Sequence, residues 1–281
     1  NCNANVTVED NVAPAITGCP SDITVSNDAG NCDAVVTWTA PTADDNCTVS
    51  MPTSTSASGD AFNVGVTNVV YTAVDVNGNS VSCDFDVIVM DSELPTFTVC
   101  PTDITISNDA GNCDAMVTWA MPVADDNCGI VALDSTSASG DIFIVGTTSV
   151  SYTAFDDASN SAICSFSVTV EDNEAPAIAN CPADIVTGND IGSCDAVVTW
   201  VEPTSSDNCG VISFATDIAV GTTFAEGTTT VTYTSADAVG NSTVCSFDVT
   251  VEDTEAPEIV GCPADVASCD VVIFWTPPLV S

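Results

Sequence analysis

Apolar side chains in this sequence alternate with polar ones or stand in short runs, and none of the runs has helical spacing. In the first 90 residues these stretches are Ile23–Val25, Val35–Trp38, Val69–Val74 and Phe85–Val89. They are rich in β-branched residues and are separated by Gly, Pro, Asn and Asp. The pattern predicts short β-strands joined by turns.

The strand pattern recurs along the chain with a step of 81 residues. A Cys-Pro pair begins at Cys19, Cys100, Cys181 and Cys262. Fixed spacing of this kind indicates one structural unit copied in tandem. The predicted boundaries are 1–10 for the closing strand of a preceding repeat, 11–91, 92–172 and 173–253 for repeats 1 to 3, and 254–281 for an incomplete repeat 4.

Each complete repeat has the strand content of a two-sheet sandwich. About seven short strands in roughly 80 residues are typical of immunoglobulin-like or fibronectin-III-like domains. The predicted fold class is therefore all-β, with tandem sandwich repeats in a linear array. The Trp, Tyr and Phe of each repeat are expected in its core.

The two ends of the chain fall inside a repeat, and two interpretations stay open. In the first, the chain is a window on a longer repetitive polymer. In the second, residues 1–10 of one subunit add a strand to the unfinished last repeat of its neighbour, which would assemble a head-to-tail filament.

Charge narrows the possible functions. The 281 residues include no Lys, Arg or His against 40 acidic residues, for a net charge of −40. Such a chain repels nucleic acids and anionic membranes, so metal cations or a cationic partner are the expected counter-charges. Without imidazole, ammonium or guanidinium groups most catalytic chemistry is missing, and the chain is predicted not to be an enzyme.

Cysteine content and hydropathy indicate the compartment. Fifteen cysteines at recurring positions favour an oxidising environment, so the chain is expected outside the cell or on its surface. No apolar run reaches the roughly 18 to 20 residues that a membrane-spanning helix needs, so no membrane insertion is expected in this segment.

Several motifs together resemble a known family. They are Cys-Pro, Val-Thr-Trp, Ser-Gly-x-x-Phe-x-x-Gly, Tyr-Thr-Ala-x-Asp-x-x-Gly-Asn, Cys-x-Phe-x-Val-x-Val and the linker Glu-Asp-x-Glu-Ala-Pro. This combination is similar to the hyalin repeat, called HYR. The resemblance implies an immunoglobulin-like fold, tandem occurrence in extracellular proteins, and a role in adhesion or matrix.

The resemblance also implies a disulfide between Cys19 and Cys83, and the shared end of the first and last strands favours the same pair. Four cysteines in a repeat allow three connectivities, which the sequence does not decide. The favoured second bridge is Cys32–Cys47, with equivalents in the later repeats. The cysteines concerned are Cys19, Cys83, Cys32, Cys47, Cys100, Cys164, Cys113, Cys128, Cys181, Cys245, Cys194 and Cys209. Cys262 and Cys269 are left unmatched.

Carboxylates concentrate where one repeat meets the next. In an immunoglobulin-like sandwich the loops at 44–46 and 75–79 face the junction that contains Asp10, and the later repeats follow the same arrangement. Oxygen ligands of this kind suit Ca²⁺. The alternative is that these residues only form turns. The predicted ligands are Asp10, Asp45, Asp75, Asn77, Asn79, Asp91, Glu93, Asp126, Asp156, Asn160, Asp172, Glu174, Asp207, Asp237 and Asn241.

Asn5, Asn46 and Asn241 match the N-glycosylation acceptor pattern. For Asn46 and Asn241 this prediction competes with a place at the cation site.

The leading hypothesis for function is an extracellular structural or adhesive protein, a rod or filament stiffened by disulfides and calcium between repeats. The expected partners are further copies of itself, head to tail or in a longer array, and surface carbohydrate or protein. The alternatives are a carbohydrate- or protein-binding adhesin module, or the non-catalytic stalk of a larger secreted protein.

Overall fold

The computed structural model describes residues 2–257, 259–260 and 279–280 of the chain. Every regular element in these residues is a β-strand, which confirms the predicted all-β fold. The chain packs as two compact units. Unit 1 is Asn1–Thr105, Met116–Phe143 and Thr147–Thr169, and unit 2 is Ile106–Ala115, Ile144–Gly146 and Val170–Ser281.

Each complete repeat has eight strands, one more than expected. Those of repeat 1 are β1 (Ala15–Thr17), β2 (Ile23–Ser26), β3 (Asp33–Val35), β4 (Thr42–Asp44), β5 (Thr53–Ser54), β6 (Ala61–Asn63), β7 (Gly65–Val74) and β8 (Ser80–Met90). Those of repeat 2 are β9 (Thr96–Val99), β10 (Ile104–Ser107), β11 (Asp114–Met116), β12 (Val123–Asp125), β13 (Ile130–Ser135), β14 (Ile142–Ile144), β15 (Gly146–Asp156) and β16 (Ser161–Glu171).

Repeat 3 follows the same order. Its strands are β17 (Ala177–Ala179), β18 (Ile185–Gly188), β19 (Asp195–Val197), β20 (Thr204–Ser206), β21 (Val211–Thr216), β22 (Thr223–Ala225), β23 (Gly227–Asp237) and β24 (Ser242–Glu252). Two short strands, β25 (Ile259–Val260) and β26 (Leu279–Val280), pair antiparallel after it.

The main sheet of repeat 1 has the order β2-β8-β7-β5, and that of repeat 3 has the order β18-β24-β23-β21. Strands β7 and β8 form a long antiparallel hairpin, whereas β2 runs parallel to β8 with Ile23 opposite Val87. Two-stranded pairs β1-β4 and β3-β6 complete repeat 1, and β17-β20 and β19-β22 complete repeat 3.

The core of repeat 1 lies between its main sheet and the β3-β6 pair. Val69 and Val87 from the sheet are completely buried, and Phe62 from β6 is 4% exposed. Trp38 packs edge-on against Phe85 with ring centroids 5.3 Å apart. The Trp38 indole N–H donates a 2.8 Å hydrogen bond to the Tyr71 hydroxyl, so the polar ends of both rings are satisfied.

The parallel pairing of β2 and β8 gives each repeat two distinct ends. We call the end where β2 and β8 begin the leading end, and the end where they finish the trailing end. The turn between β7 and β8 lies at the leading end, near Asp10, because the Asn79 side-chain amide donates to the Asp10 carbonyl. The loop after β2 lies at the trailing end, where the Gly30 N–H donates to Glu93.

Candidate cation sites at the repeat junctions

The structure brings together the three segments expected at each junction. At the leading end of repeat 1, Asn46 donates to the Asp10 carboxylate at 3.4 Å and Asn79 donates to the Asp10 carbonyl at 3.0 Å. At the leading end of repeat 2, Asn160 donates to the Asp91 carbonyl at 3.3 Å. Asn241 donates to the Asp172 carbonyl at 3.1 Å in repeat 3. The acidic residue before each repeat is thus held against that repeat's loops.

At each of the three junctions that precede repeats 1, 2 and 3, three potential ligand atoms lie within 4.8 Å of one another. Cluster 1 is Asp10, Asp45 and Cys47, cluster 2 is Asp91, Asp126 and Cys128, and cluster 3 is Asp172, Asp207 and Asp237.

In clusters 1 and 2, one oxygen of each carboxylate serves the local backbone. Asp10 accepts the Val12 N–H at 3.1 Å, and Asp45 accepts the Cys47 N–H at 3.0 Å. Asp91 and Asp126 repeat these roles towards Glu93 and Cys128. These are short local turns of the kind that Asp forms with its own backbone.

The second oxygen of these carboxylates is buried and has no hydrogen-bond partner. This holds for Asp10 Oδ2, Asp45 Oδ1, Asp91 Oδ2 and Asp126 Oδ2, and for Asp207 Oδ2 in cluster 3. The side-chain oxygen of Asn127 is also buried and unpartnered. Leaving a buried acceptor without a partner is unfavourable, and more so when the acceptor is charged. Turn formation alone therefore does not account for these oxygens.

Asp75, Asp156 and Asp237 differ from the other predicted ligands because both oxygens of each carboxylate accept hydrogen bonds within the β-turn that follows it. Asp75 accepts the N–H groups of Asn77 and Asn79 at 2.8 Å each, and its other oxygen accepts the Asn79 side-chain amide. Asp156 and Asp237 bind Asn160 and Asn241 in the same way. Of these three, only Asp237 has an oxygen within a cluster.

Asn79, Asn160 and Asn241 present their amide nitrogens to the junction. Each amide bridges the turn carboxylate of its own repeat to the carbonyl at the end of the preceding repeat. They act as hydrogen-bond clamps in the structure, and their role as cation ligands stays a prediction. Asn77 contributes its backbone N–H to the Asp75 turn.

Glu93 and Glu174 lie outside the three clusters and serve the trailing end of the preceding repeat. Glu93 accepts the Gly30 N–H at 2.8 Å, and Glu174 accepts the Gly111 N–H through both oxygens, at 3.0 and 3.1 Å. Glu255 repeats the contact with Gly192. These carboxylates hold the loop that contains Cys32, Cys113 or Cys194.

The electrostatics of the junctions reflect burial and the absence of cationic side chains. Burial raises the pKa of Asp91 above its ordinary value, and the nearby charges of Asp126 and Asp156 add to the effect. The Val12 N–H instead lowers the pKa of Asp10. Burial acts to raise the pKa of Asp237, but hydrogen bonds from Asn241 and the Gly240 N–H bring it below its ordinary value.

The carboxylates of the clusters, two in clusters 1 and 2 and three in cluster 3, are oxygen ligands of the kind that a hard divalent cation prefers, whereas the sulfur atoms of Cys47 and of the disulfide-bonded Cys128 are not. Ligand oxygens about 2.3–2.6 Å from a Ca²⁺ ion lie no more than roughly 5 Å apart, which matches the spread of each cluster. A structural zinc site would take Cys or His ligands, and the chain has no His. Asn127, with its unpartnered oxygen, is a further candidate beyond the predicted ligands.

The Cys19–Cys83 bridge is present, with equivalents Cys100–Cys164 and Cys181–Cys245. Its origin is the parallel register of β2 and β8. Ile23 lies opposite Val87, a separation of 64 residues, and Cys19 and Cys83 are also 64 residues apart. Both cysteines therefore stand at the leading end of the two paired strands.

The predicted second bridge within each repeat is wrong. Cys32 is bonded to Cys128, and Cys113 to Cys209, across 96 residues in each case. The physical reason is that Cys32 follows β2 to the trailing end, whereas Cys47 lies beside Asp10 at the leading end. Each second bridge consequently joins one repeat to the next, and we call it a strap.

Among the described residues, Cys2, Cys47 and Cys194 are exposed and unbonded. The predicted unmatched pair Cys262 and Cys269 lies outside the described residues. The carboxylate of Asp10 raises the pKa of the Cys47 thiol, first as its hydrogen-bond acceptor and then through its charge, and the charge of Asp45 adds to the effect.

The predicted glycosylation acceptors differ in their surroundings. Asn5 is exposed. Asn46 is also exposed, although its amide contacts Asp10. The Asn241 amide donates to Asp172, Glu174 and Asp237, so a sugar on that nitrogen would break the clamp of repeat 3.

Comparison with curated proteins finds hyalins. The chain is 34% identical to hyalin of Strongylocentrotus purpuratus, over all of this chain and 25% of that protein. It is 34% identical to hyalin of Lytechinus variegatus, over 93% of this chain and 51% of that protein. The chain thus spans a quarter to a half of the length of these relatives.

Comparison with solved structures finds cadherin domains. Mouse cadherin-23 EC22-24 is 11% identical with a TM-score of 0.32, covering 86% of this chain and 99% of that chain. The protocadherin gamma B4 extracellular domain is 15% identical with a TM-score of 0.31, covering 92% of this chain and 53% of that chain. Because these TM-scores are low, the fold assignment rests on the strand order described above and not on these structures.

The compartment follows from the hyalin relatives and from five disulfides in the described residues, which place the chain outside the cell. A helix long and apolar enough to cross a membrane is absent from the described part of the chain. The HYR domain matches residues 9–89, 90–170 and 171–251, and the chain therefore belongs to the HYR domain family.

Proposed function

We propose that this chain is a stretch of an extracellular, non-catalytic adhesion or matrix protein whose repeats form a rod. Each joint between repeats is fixed by a strap and by a Ca²⁺ ion held in the acidic cluster. The partners of the array are further copies of itself and carbohydrate or protein at a surface. Both joint contacts act at the same place, because Cys128 belongs to the strap and to cluster 2.

The observation that carries the calcium proposal is the set of buried carboxylate oxygens without partners. The chain has no Lys, Arg or His, so no side chain can neutralise these charges. A bound divalent cation would supply the missing partner and offset the repulsion between the carboxylates. In cluster 2, Asp91, Asp126 and the Asn127 oxygen would hold the ion, and in cluster 3, Asp172, Asp207 and Asp237 would do so.

The mechanical consequence is a joint of fixed angle. A cation shared between the end of one repeat and the loops of the next favours a single arrangement, and the strap limits how far the two repeats can separate. The cations would also cancel part of the net charge of −40.

Titration calorimetry of Ca²⁺ into the chelator-treated, disulfide-bonded chain tests the proposal. We expect one ion per cluster for the three clusters of the described residues. Asp207→Asn should abolish one binding event, because the amide keeps an acceptor for the Cys209 N–H but loses the charge. Small-angle scattering should show a smaller maximum dimension after chelation, as the joints lose their fixed angle.

Asp134→Asn is the matched control, since it makes the same charge change at an exposed position on β13. It should leave the number of bound ions unchanged. If Ca²⁺ produces no heat and chelation leaves the scattering profile the same, the cation-stiffened rod is incorrect.

A further inference from the structure

The sequence contains one Asn-Gly step, Asn77-Gly78, which lies in the turn between β7 and β8 of repeat 1. Both residues are exposed. Asn77 donates its backbone N–H to Asp75 at 2.8 Å, and its side chain lies outside that bond. Asn is a thermolabile residue, and it reacts most readily before Gly, because Gly has no Cβ to hinder attack by its backbone nitrogen on the Asn side chain.

The backbone at Gly78 leaves the attacking nitrogen accessible. Gly78 has a φ of 93°, and apart from its chain neighbours no heavy atom of the described residues lies within 4 Å of the place that a Cβ would take. The Gly78 N–H donates a long hydrogen bond of 3.3 Å to the Asp75 carbonyl. The nitrogen is therefore weakly held and open to solvent.

The other Asn side chains of these turns are held in place. Each is followed by Ser, and each amide donates both to the turn carboxylate of its own repeat and to a carbonyl before that repeat. They are Asn79, Asn160 and Asn241. A side chain fixed by two hydrogen bonds does not turn towards the next backbone nitrogen. At the position of Asn77, repeats 2 and 3 have Ala158 and Val239.

We propose that Asn77 is a site of spontaneous deamidation and that its product places a third carboxylate at cluster 1. The Gly78 nitrogen loses its proton and attacks the carbonyl carbon of the Asn77 side chain. As the new C–N bond forms, the bond from that carbon to the amide nitrogen breaks, and ammonia leaves with the proton. Water then opens the succinimide ring at either carbonyl, which gives aspartate or isoaspartate.

The new carboxylate would stand beside Asp10, because the turn at 75–79 lies against that residue. The Asn79 amide donates to the Asp10 carbonyl at 3.0 Å. The pKa of Asp10 is lowered mainly by the Val12 N–H, and the nearby Asn77 amide contributes to the same shift. Cluster 1 would then have three carboxylates, as cluster 3 has. This consequence rests on the cation site of the proposed function, whereas the deamidation itself does not.

The test incubates the folded, disulfide-bonded chain at neutral pH in chelator. Samples are reduced, alkylated and digested in mild acid with chymotrypsin, which releases residues 72–85 between Tyr71 and Phe85. Mass spectrometry measures the replacement of the side-chain amide by a carboxyl group, and a zero-time sample corrects for the digestion. We expect Asn77 to be converted roughly tenfold faster than Asn79, Asn160 and Asn241 in the same molecule.

Gly78→Ser is the matched variant, because Ser159 has the same left-handed backbone at the equivalent position of repeat 2, with a φ of 70°. The serine side chain hinders the attack, so the conversion of Asn77 should slow roughly tenfold. Circular dichroism checks that the variant is folded. Equal rates in the parent chain and the folded variant would overturn the proposal. So would an unchanged Asn77 in the folded chain over a time in which the reduced, unfolded chain is converted.

Asn77→Asp reproduces the aspartate product and tests the third carboxylate by Ca²⁺ calorimetry. We expect one binding event to become roughly tenfold tighter, and Asp10→Asn in the same background to remove the gain. Unchanged affinity, with ions still bound by the parent chain, would overturn the third carboxylate and leave the proposed function standing. If the parent chain binds no ion, the proposed cation site and the third ligand are both wrong, and the peptide map in chelator still decides the deamidation.

Discussion

Clusters 1 and 2 have the same ligands but different surroundings. At cluster 1, Asp10 is half-buried, its pKa is lowered by the Val12 N–H, and Cys47 is unbonded. At cluster 2, Asp91 is 9% exposed, its pKa is raised by burial, and Cys128 is bonded to Cys32. The clearest covalent difference is the strap, which holds the loop with Asp126 and Asn127 against the preceding repeat.

The comparison shows the strap and the acidic cluster at the same joint, because Cys128 belongs to both. At this joint Asp91 is buried, and burial makes an unpaired charge costly. A cation bound as proposed would relieve that cost. A strapped cluster is therefore expected to gain more from a cation than an unstrapped one.

The largest expected effect on the free energy of unfolding comes from removing the strap at cluster 2, which would leave Asp126 and Asn127 on an unbonded loop, as Asp45 is at cluster 1. Cys32→Ser with Cys128→Ser opens a ring with a separation of 96 residues. Loop-closure entropy assigns such a ring about 4–5 kcal/mol of stability. Urea unfolding followed by Trp fluorescence should show a loss of this order, whereas Cys2→Ser should leave the midpoint in place. A loss below about 1 kcal/mol would mean that the hydrogen bonds alone hold the joint.

A smaller effect is expected from replacing the Asp91 carboxylate, and the shift in melting temperature should have opposite signs in chelator and in Ca²⁺. Asp91→Asn removes a buried charge near Asp126 and Asp156 but keeps the acceptor for the Glu93 N–H. In chelator the variant should melt a few degrees higher than the parent chain, and in Ca²⁺ it should melt lower. Circular dichroism at both conditions measures the two shifts. Asp10→Asn should change the melting temperature less in both conditions, because the Asp10 residue is only half-buried. If Asp91→Asn shifted the melting temperature in the same direction in chelator and in Ca²⁺, the cation site would be contradicted.

The smallest effects should be equal at the two clusters, because the clamp is common to both. Asn160→Ala and Asn79→Ala each remove a side-chain bridge to the preceding repeat. Each should cost about 1 kcal/mol, measured by urea unfolding. If Asn160→Ala cost far more than Asn79→Ala, the clamp would depend on the strap.

The sequence predicted most of the fold because its cause is local and repeated. Alternation along β7 and β8 encodes the buried Val69 and Val87, and the 81-residue step carries the pattern into the other repeats. The position of the loops was predicted from the sequence as well, because an immunoglobulin-like strand order brings residues 44–46 and 75–79 to the leading end.

The predicted partner of Cys32 was wrong because the prediction considered only the cysteines of one repeat and ignored the direction of strand β2. Strand β2 runs from the leading to the trailing end, so a cysteine six residues beyond it cannot reach Cys47. The sequence allowed this direction to be predicted, once β2 and β8 were paired in parallel.

The role of Glu93 could not be predicted from the sequence, because its contact with Gly30 depends on the shape of a loop that follows no periodic pattern.

The straps also change how the chain responds to being cut. The rings closed by the five disulfides of the described residues overlap in sequence, from Cys19–Cys83 through Cys32–Cys128, Cys100–Cys164 and Cys113–Cys209 to Cys181–Cys245. Every peptide bond between Cys19 and Cys245 therefore lies inside at least one ring. A single proteolytic nick anywhere in that stretch leaves one covalent molecule, and only a nick followed by reduction releases a fragment.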